Sequence, residues 1–187
     1  MTNGVLANIV NEVKDGIVAA IKGTNEITTE ATQLVRNTVV NSLRAGGDIA
    51  TTTVQVATDV AKGVILGASQ TGVSLTLAAK AGAKAIVEGV SDVGGDVAEA
   101  AADAIKGTIN ETAEIGGDVA GVAVGAVEGA IEATAEIGGD VAGVTKKAVL
   151  AAVETAESIS TETAEAVKNS LKAAISGAKE ILEAPFK

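Results

Sequence analysis

Eleven residues, Thr112–Val122 (TAEIGGDVAGV), recur without a change as Thr134–Val144, an offset of 22 residues or twice eleven. Eleven residues make three helical turns at about 3.67 residues per turn, so a chain that keeps this period holds one face aligned along a helix. The frame extends in both directions: Gly94-Gly95-Asp96, Gly116-Gly117-Asp118 and Gly138-Gly139-Asp140 follow one another at 22 residues. Counted from residue 61, the blocks are 61–82, 83–104, 105–126, 127–148 and 149–170, with a remnant at 171–187, and the third and fourth agree at 14 of 22 positions. The earlier Gly46-Gly47-Asp48 lies 48 residues before Gly94, four elevens plus four. An insertion of four is a stutter, which keeps an apolar face nearly in line. Internal duplication explains the pattern economically. The expectation is an all-α fold: long Ala/Gly-rich amphipathic helices with an 11/22-residue repeat, packed as a helical bundle or an elongated helical rod. Three regions follow: a charge-balanced helical segment at 1–60, the repeat at 61–170, and a helix end and tail at 171–187.

The Gly-Gly-Asp units admit two structures. As turns, Gly ends one helix and Asp caps the next, and Asp96 with Glu99 makes a D-x-x-E capping box. As interior positions, they mark close backbone contact along a helix that runs straight through. Spacing in multiples of eleven favours continuity, because a turn has no need of that period. Block 149–170 also lacks a Gly pair while keeping its Thr, Ala and Glu pattern. Long, mostly continuous helices are therefore expected.

On such a helix Ile115, Val119, Val122, Ala126, Ala130, Ala133, Ile137, Val141, Val144 and Ala148 form one stripe, at spacings of four, three and four. With Ile109, Ala120, Ala123, Val127, Ile131 and Ala142 beside it, the apolar arc widens to roughly 200°, far beyond a two-stranded seam. Gly117, Gly121, Gly125 and Gly129 form a G-x-x-x-G ladder resembling a glycine zipper, a groove that lets a second backbone approach closely. The expected helix-packing residues are these four glycines with Ile115, Val119, Val122, Ile137, Val141 and Val144. Glu128, Glu132, Glu136 and Asp140 continue at i, i+4 on the opposite arc. Like charges at that spacing cost a few tenths of a kcal/mol per pair. They read as a solvated face, with a hard-cation array or a basic partner as alternatives.

Composition narrows the chemistry. The chain has no His, Cys, Tyr or Trp and one Phe. That removes the thiol nucleophile, imidazole acid–base catalysis and thiolate or imidazole metal sites. No catalytic residue, cofactor or metal ligand is expected, and the chain reads as non-enzymatic. With a single aromatic, Phe186, any core must be built from Ala, Val, Ile, Leu and Gly, which fill space only when backbones come close together. The net charge is −10, and no base occurs from Gly107 to Thr145. Such a balance argues against nucleic acid and anionic membranes as partners.

The N-terminal MTNGVLANIVNEVKDG lacks the basic stretch and apolar core of a secretory signal. The longest uncharged run, Gly63–Ala79, is 17 residues with five polar side chains. A bilayer span wants about 20 mostly apolar residues. No transmembrane span is expected, and the reading is a cytoplasmic protein, free or associated with a granule or membrane surface.

The eleven-residue period, the Val127-Glu128-Gly129-Ala130 segment and the Gly/Ala/Val/Thr bias resemble the lipid-surface helices of synucleins, apolipoproteins and perilipins, in period over residues 61–170. Those helices flank their apolar face with Lys, and the synuclein KTKEGV core is missing here. The resemblance implies an amphipathic coat on a lipid droplet, storage granule or membrane. The residues themselves point first to a structural scaffold that self-associates as a homo-oligomer through closely packed Gly/Ala-rich helices. Desiccation or freezing protection is a third class.

Overall fold

The computed structural model describes residues 2–21, 27–45 and 49–184, with side chains for 8–21, 27–45 and 53–184. Gly46-Gly47-Asp48 and Phe186 lie outside the described residues. Among them the fold is all-helical: α1 (Thr2–Ile21), α2 (Thr29–Ala45), α3 (Ile49–Thr71), α4 (Leu75–Asp92), α5 (Val97–Glu114), α6 (Val119–Glu136), α7 (Val141–Ile159), α8 (Thr161–Ala174) and α9 (Ala178–Glu183). The sequence boundary at 60/61 falls inside α3 and that at 170/171 inside α8.

The three described Gly-Gly-Asp units, at 94–96, 116–118 and 138–140, are turns, which corrects the expectation of continuous helices. Gly94, Gly116 and Gly138 have φ of 72°, 71° and 71°, the left-handed region that glycine enters without penalty. Around the second unit, Gly117 N–H donates to Thr112 C=O at 2.8 Å and Gly116 N–H to Ala113 C=O at 3.1 Å. These two bonds form a Schellman motif that satisfies the last carbonyls of α5. Asp118 then accepts from Gly121 N–H at 3.0 Å as the N-cap of α6, a contribution of about 1 kcal/mol. The recurring eleven residues are thus one complete stop-and-start device. Its Thr is buried and satisfied by its own helix: Thr112 Oγ1 donates to Thr108 C=O and Thr134 Oγ1 to Ala130 C=O, both at 2.7 Å.

The same device stands at Val90–Glu99. It also stands at Ala68–Leu77, where Gly72 (φ 73°) and Ser74 play the parts of Gly and Asp. The period of 22 is then the length of an 18-residue helix plus a four-residue turn. A tight turn of fixed length respects the period as well as a continuous helix does.

The chain reverses direction at each described turn, and helices two apart in the chain lie side by side. α1, α3, α5 and α7 form one layer and α2, α4 and α6 another, with α8 packed on α6 and α7. Within a layer neighbours run parallel. Gly63 lies over Val10 and Val13 while Gly67, one turn on, lies over Lys14 and Ile17. The apolar side chains meet between and within the layers. Ile65, Ile86, Ile105, Ile109 and Leu171 are fully buried among many alanines, each such burial being worth about 1.5–3 kcal/mol. Much of the wide apolar arc read from the sequence, including Ile109, Val122, Ala126, Val127, Val144 and Ala148, is buried against neighbouring helices of the same chain, whereas Ile115, Ile137 and Ala142 are exposed. Among the described residues no helix is long and apolar enough to cross a membrane.

Candidate functional site

The most specialised geometry lies at the seams between parallel helices, where glycine sets the spacing. A Cβ on Gly63 would come within 3.0 Å of Val10 C=O, on Gly107 of Thr58 C=O, on Gly125 of Thr76 C=O and on Gly129 of Lys80 C=O. The hydrogen that stands where Cβ would be points at each carbonyl, the arrangement of a weak Cα–H···O contact. Gly67 and Gly89 sit against Ile17 and Val39 at the corresponding places on α1 and α2. Four seams are built this way: α1–α3, α2–α4, α3–α5 and α4–α6.

Ion pairs fasten the outer edges of two of these seams, α2–α4 and α4–α6, and of the α5–α7 contact, which has no such glycine. Lys84 Nζ donates to Glu132 at 3.0 Å and Glu136 at 2.7 Å, and Lys80 lies 3.2 Å from Glu132 and 3.6 Å from Glu128. Lys147 on α7 pairs with Glu99 on α5. Arg36 on α2 holds Asp92 through Nε and Nη2 at 2.7 and 2.8 Å and reaches Glu88 at 3.1 Å. Lys84 with Glu132 and Lys147 with Glu99 are each 48 residues apart: two 22-residue repeats plus one helical turn. The hydrogen bonds from Lys84 and then Lys80 pull the Glu132 carboxyl below its ordinary range, and the Arg36 guanidinium does the same to Asp92. The i, i+4 acids are therefore not a bare repelling row, because α4 supplies the ammonium groups that face them.

Three other acids have the opposite shift. Burial pushes Asp103 on α5 up, against its 3.0 Å contact with Lys106. Its Oδ2 is enclosed and has no hydrogen-bond partner. Burial likewise raises Glu111, with Glu114 adding to the effect, and Asp59 on α3. Among the described residues no group of three or more acids is placed to hold a metal ion.

The residues singled out from the sequence are dispersed by the turns. Gly125 and Gly129 lie on α4 backbone, whereas Gly121 is at the N-terminal turn of α6, where a Cβ would meet the capping Asp118 carboxylate and Thr76 Oγ1. Gly117 precedes the helix, against Leu75 and Thr112, so the ladder is not one unbroken helical face. Ile115 and Ile137 occupy the C-caps of α5 and α6 and are 38% and 37% exposed. Val119 and Val141 open α6 and α7 half-buried, and Val122 and Val144, one turn further on, are buried. The single stripe is thus divided between antiparallel helices. Asp140, read as part of an acidic face, is an N-cap, as are Asp96 and Asp118.

Sequence reasoning missed Arg36, Lys80, Lys84, Lys147 and Asp103. The 48-residue offset of Lys80 and Lys84 from Glu128 and Glu132 was a usable signal once the turns were known. Elsewhere, a cleft of about 860 Å³ opens between α6, α7 and the α8–α9 corner. No protein-family model matches the chain, and no curated protein matches it in sequence.

Proposed function

We propose that the chain is a non-enzymatic structural scaffold, a helical-repeat body whose glycine seams draw its own helices together. The observation that supports this most is the recurrence of one seam: a glycine on a backbone carbonyl of the helix two places earlier, with ion pairs along three of the layer contacts. Such repetition makes a body whose stability is a sum over nearest neighbours. Self-association through the glycine ladder, the form this reading took from sequence, has lost its free surface, since α4 fills the groove at Gly125 and Gly129. Any homo-oligomer would use another face.

The alternative, an amphipathic coat on a lipid droplet, storage granule or membrane, requires the packed apolar arc to open onto that surface. Circular dichroism and sedimentation velocity in plain buffer at micromolar concentration separate the two. The scaffold reading expects full helicity, a cooperative melt and compact sedimentation with no addition. A disordered chain that becomes helical only with neutral vesicles or an oil emulsion would overturn it in favour of the coat. Protection against drying or freezing has no structural observation in its favour.

A further inference from the structure

The cleft beside α9 arises where the repeat breaks. α8 has 14 residues against the 18 of α4, α5 and α6, a turn shorter, and Ile131 of α6 is half-buried at the edge of the cleft. The chain bends at Gly177 (φ 84°), and α9 packs on α7 and α8. The resulting cleft of about 860 Å³ is walled by Ile131, Val141, Ile175 and Ile181, with Lys146 and Ser176 also lining it. That size and apolar character match small-molecule sites, which span about 300–1,000 Å³ and carry few polar groups.

The charges select among ligands. Two carboxylates reach the cleft, Glu128 and Glu132. Lys80 faces both, at 3.6 and 3.2 Å, and Lys84 is shared between Glu132 and Glu136. The wall is neutral in sum, and Lys146, with no carboxylate partner among the described residues, is the lining ammonium open to an anion. The Ser176 hydroxyl is free of hydrogen bonds there and can donate.

We propose that this cleft binds a single-chain alkyl carboxylate, its hydrocarbon against Ile131, Val141, Ile175 and Ile181 and its carboxylate on Lys146 and Ser176. The site is independent of the scaffold reading, since it needs only one folded chain. Isothermal titration of the full chain with octanoate, decanoate and dodecanoate, each below its micelle concentration, tests it. Saturable binding should strengthen about three- to fourfold per added CH₂, and decanoate should exceed 1-decanol. Lys146→Gln, at an exposed position, should weaken decanoate roughly three- to fivefold and leave 1-decanol unchanged. Ile181→Glu should abolish both, with helicity measured alongside; should that variant unfold, Lys146→Gln decides. No saturable binding, equal affinity for decanoate and decanol, or no effect of Lys146→Gln would overturn the assignment.

Discussion

Gly129→Ala opposes two effects of known sign on one residue. In a helix interior Ala is favoured over Gly by about 0.8–1.0 kcal/mol, so propensity alone makes the variant more stable. Against this, the new Cβ would meet the carbonyl oxygen, carbonyl carbon and Cα of Lys80, all at or within 3.0 Å. These are backbone atoms in the middle of α4, so no side chain can swing aside and the two helices must separate. Overpacking a close contact costs typically about 1–3 kcal/mol, and a rigid obstacle puts this case at the upper end. The expected net loss is about 2 kcal/mol, a fall in melting temperature of about 4–8 °C for a chain of this length. Gly143→Ala is the control. It lies near the start of α7, where a Cβ would meet only the carboxylate of its own N-cap, Asp140, and a side-chain tip can move. Its melting temperature should stay level or rise by a few degrees. Thermal unfolding by circular dichroism, with urea titration for the free energies, reads both. If Gly129→Ala melts at or above the parent temperature, close backbone approach is not what joins α6 to α4.

The double variant Gly121→Leu with Gly125→Leu should lose cooperative unfolding in the isolated chain, despite better helix propensity, because α4 occupies the place of the second side chain. A higher melting temperature would contradict that. Gly116, whose Cβ would meet nothing, isolates the backbone term: Gly116→Ala should lose about 1–2 kcal/mol, and Gly116→Asn less, in urea unfolding. Asp118→Ala removes one N-cap and should lose about 1 kcal/mol by the same measure. Stability should pass through a maximum on mild acidification. Asp103, Glu111 and Asp59 have folded pKa values raised above their ordinary 3.8, 4.5 and 3.8. They therefore destabilise the ionised native state and release that penalty as pH falls through the raised values. Glu132 and Asp92 are depressed from 4.5 and 3.8; their contribution is intact above those values and is lost as pH drops below them. Melting temperature recorded from pH 7 to pH 2 should rise and then fall, and a monotonic fall would show that the buried acids are not penalised.

The class of fold was open to reading because aliphatic residues and glycine recur at helical spacing along the chain, with almost no aromatic residue to build another kind of core. The turns were harder. The cues were present at Gly94-Gly95-Asp96 and in the Asp96–Glu99 capping pattern, but a period of 22 serves a continuous helix and an 18-residue helix with a four-residue turn equally. Gly72-Val73-Ser74 makes the same turn with different side chains, which conceals it from a search for Gly-Gly-Asp. The glycine ladder announced close packing yet not its partner, since whether Gly125 meets another chain or α4 depends on where the chain reverses. Asp103 looked like one acid among many. Its burial follows from the position of α5 between α3 and α7, which only the layered topology fixes.

The central claim is that the repeat folds back on itself so that helices two apart lie side by side. The chain has no Cys, so introduced cysteines are unique attachment points. Ile115 and Ile159 lie at the ends of α5 and α7, both well exposed, and 44 residues apart in sequence (115 to 159). Spin labels on Ile115→Cys and Ile159→Cys, measured by double electron–electron resonance in plain buffer, report the distance directly. Neighbouring parallel helices with axes about 8–10 Å apart bring the labels within about 25 Å. A continuous helical rod at 1.5 Å per residue would hold them about 66 Å apart, and a distance near that value would contradict the account.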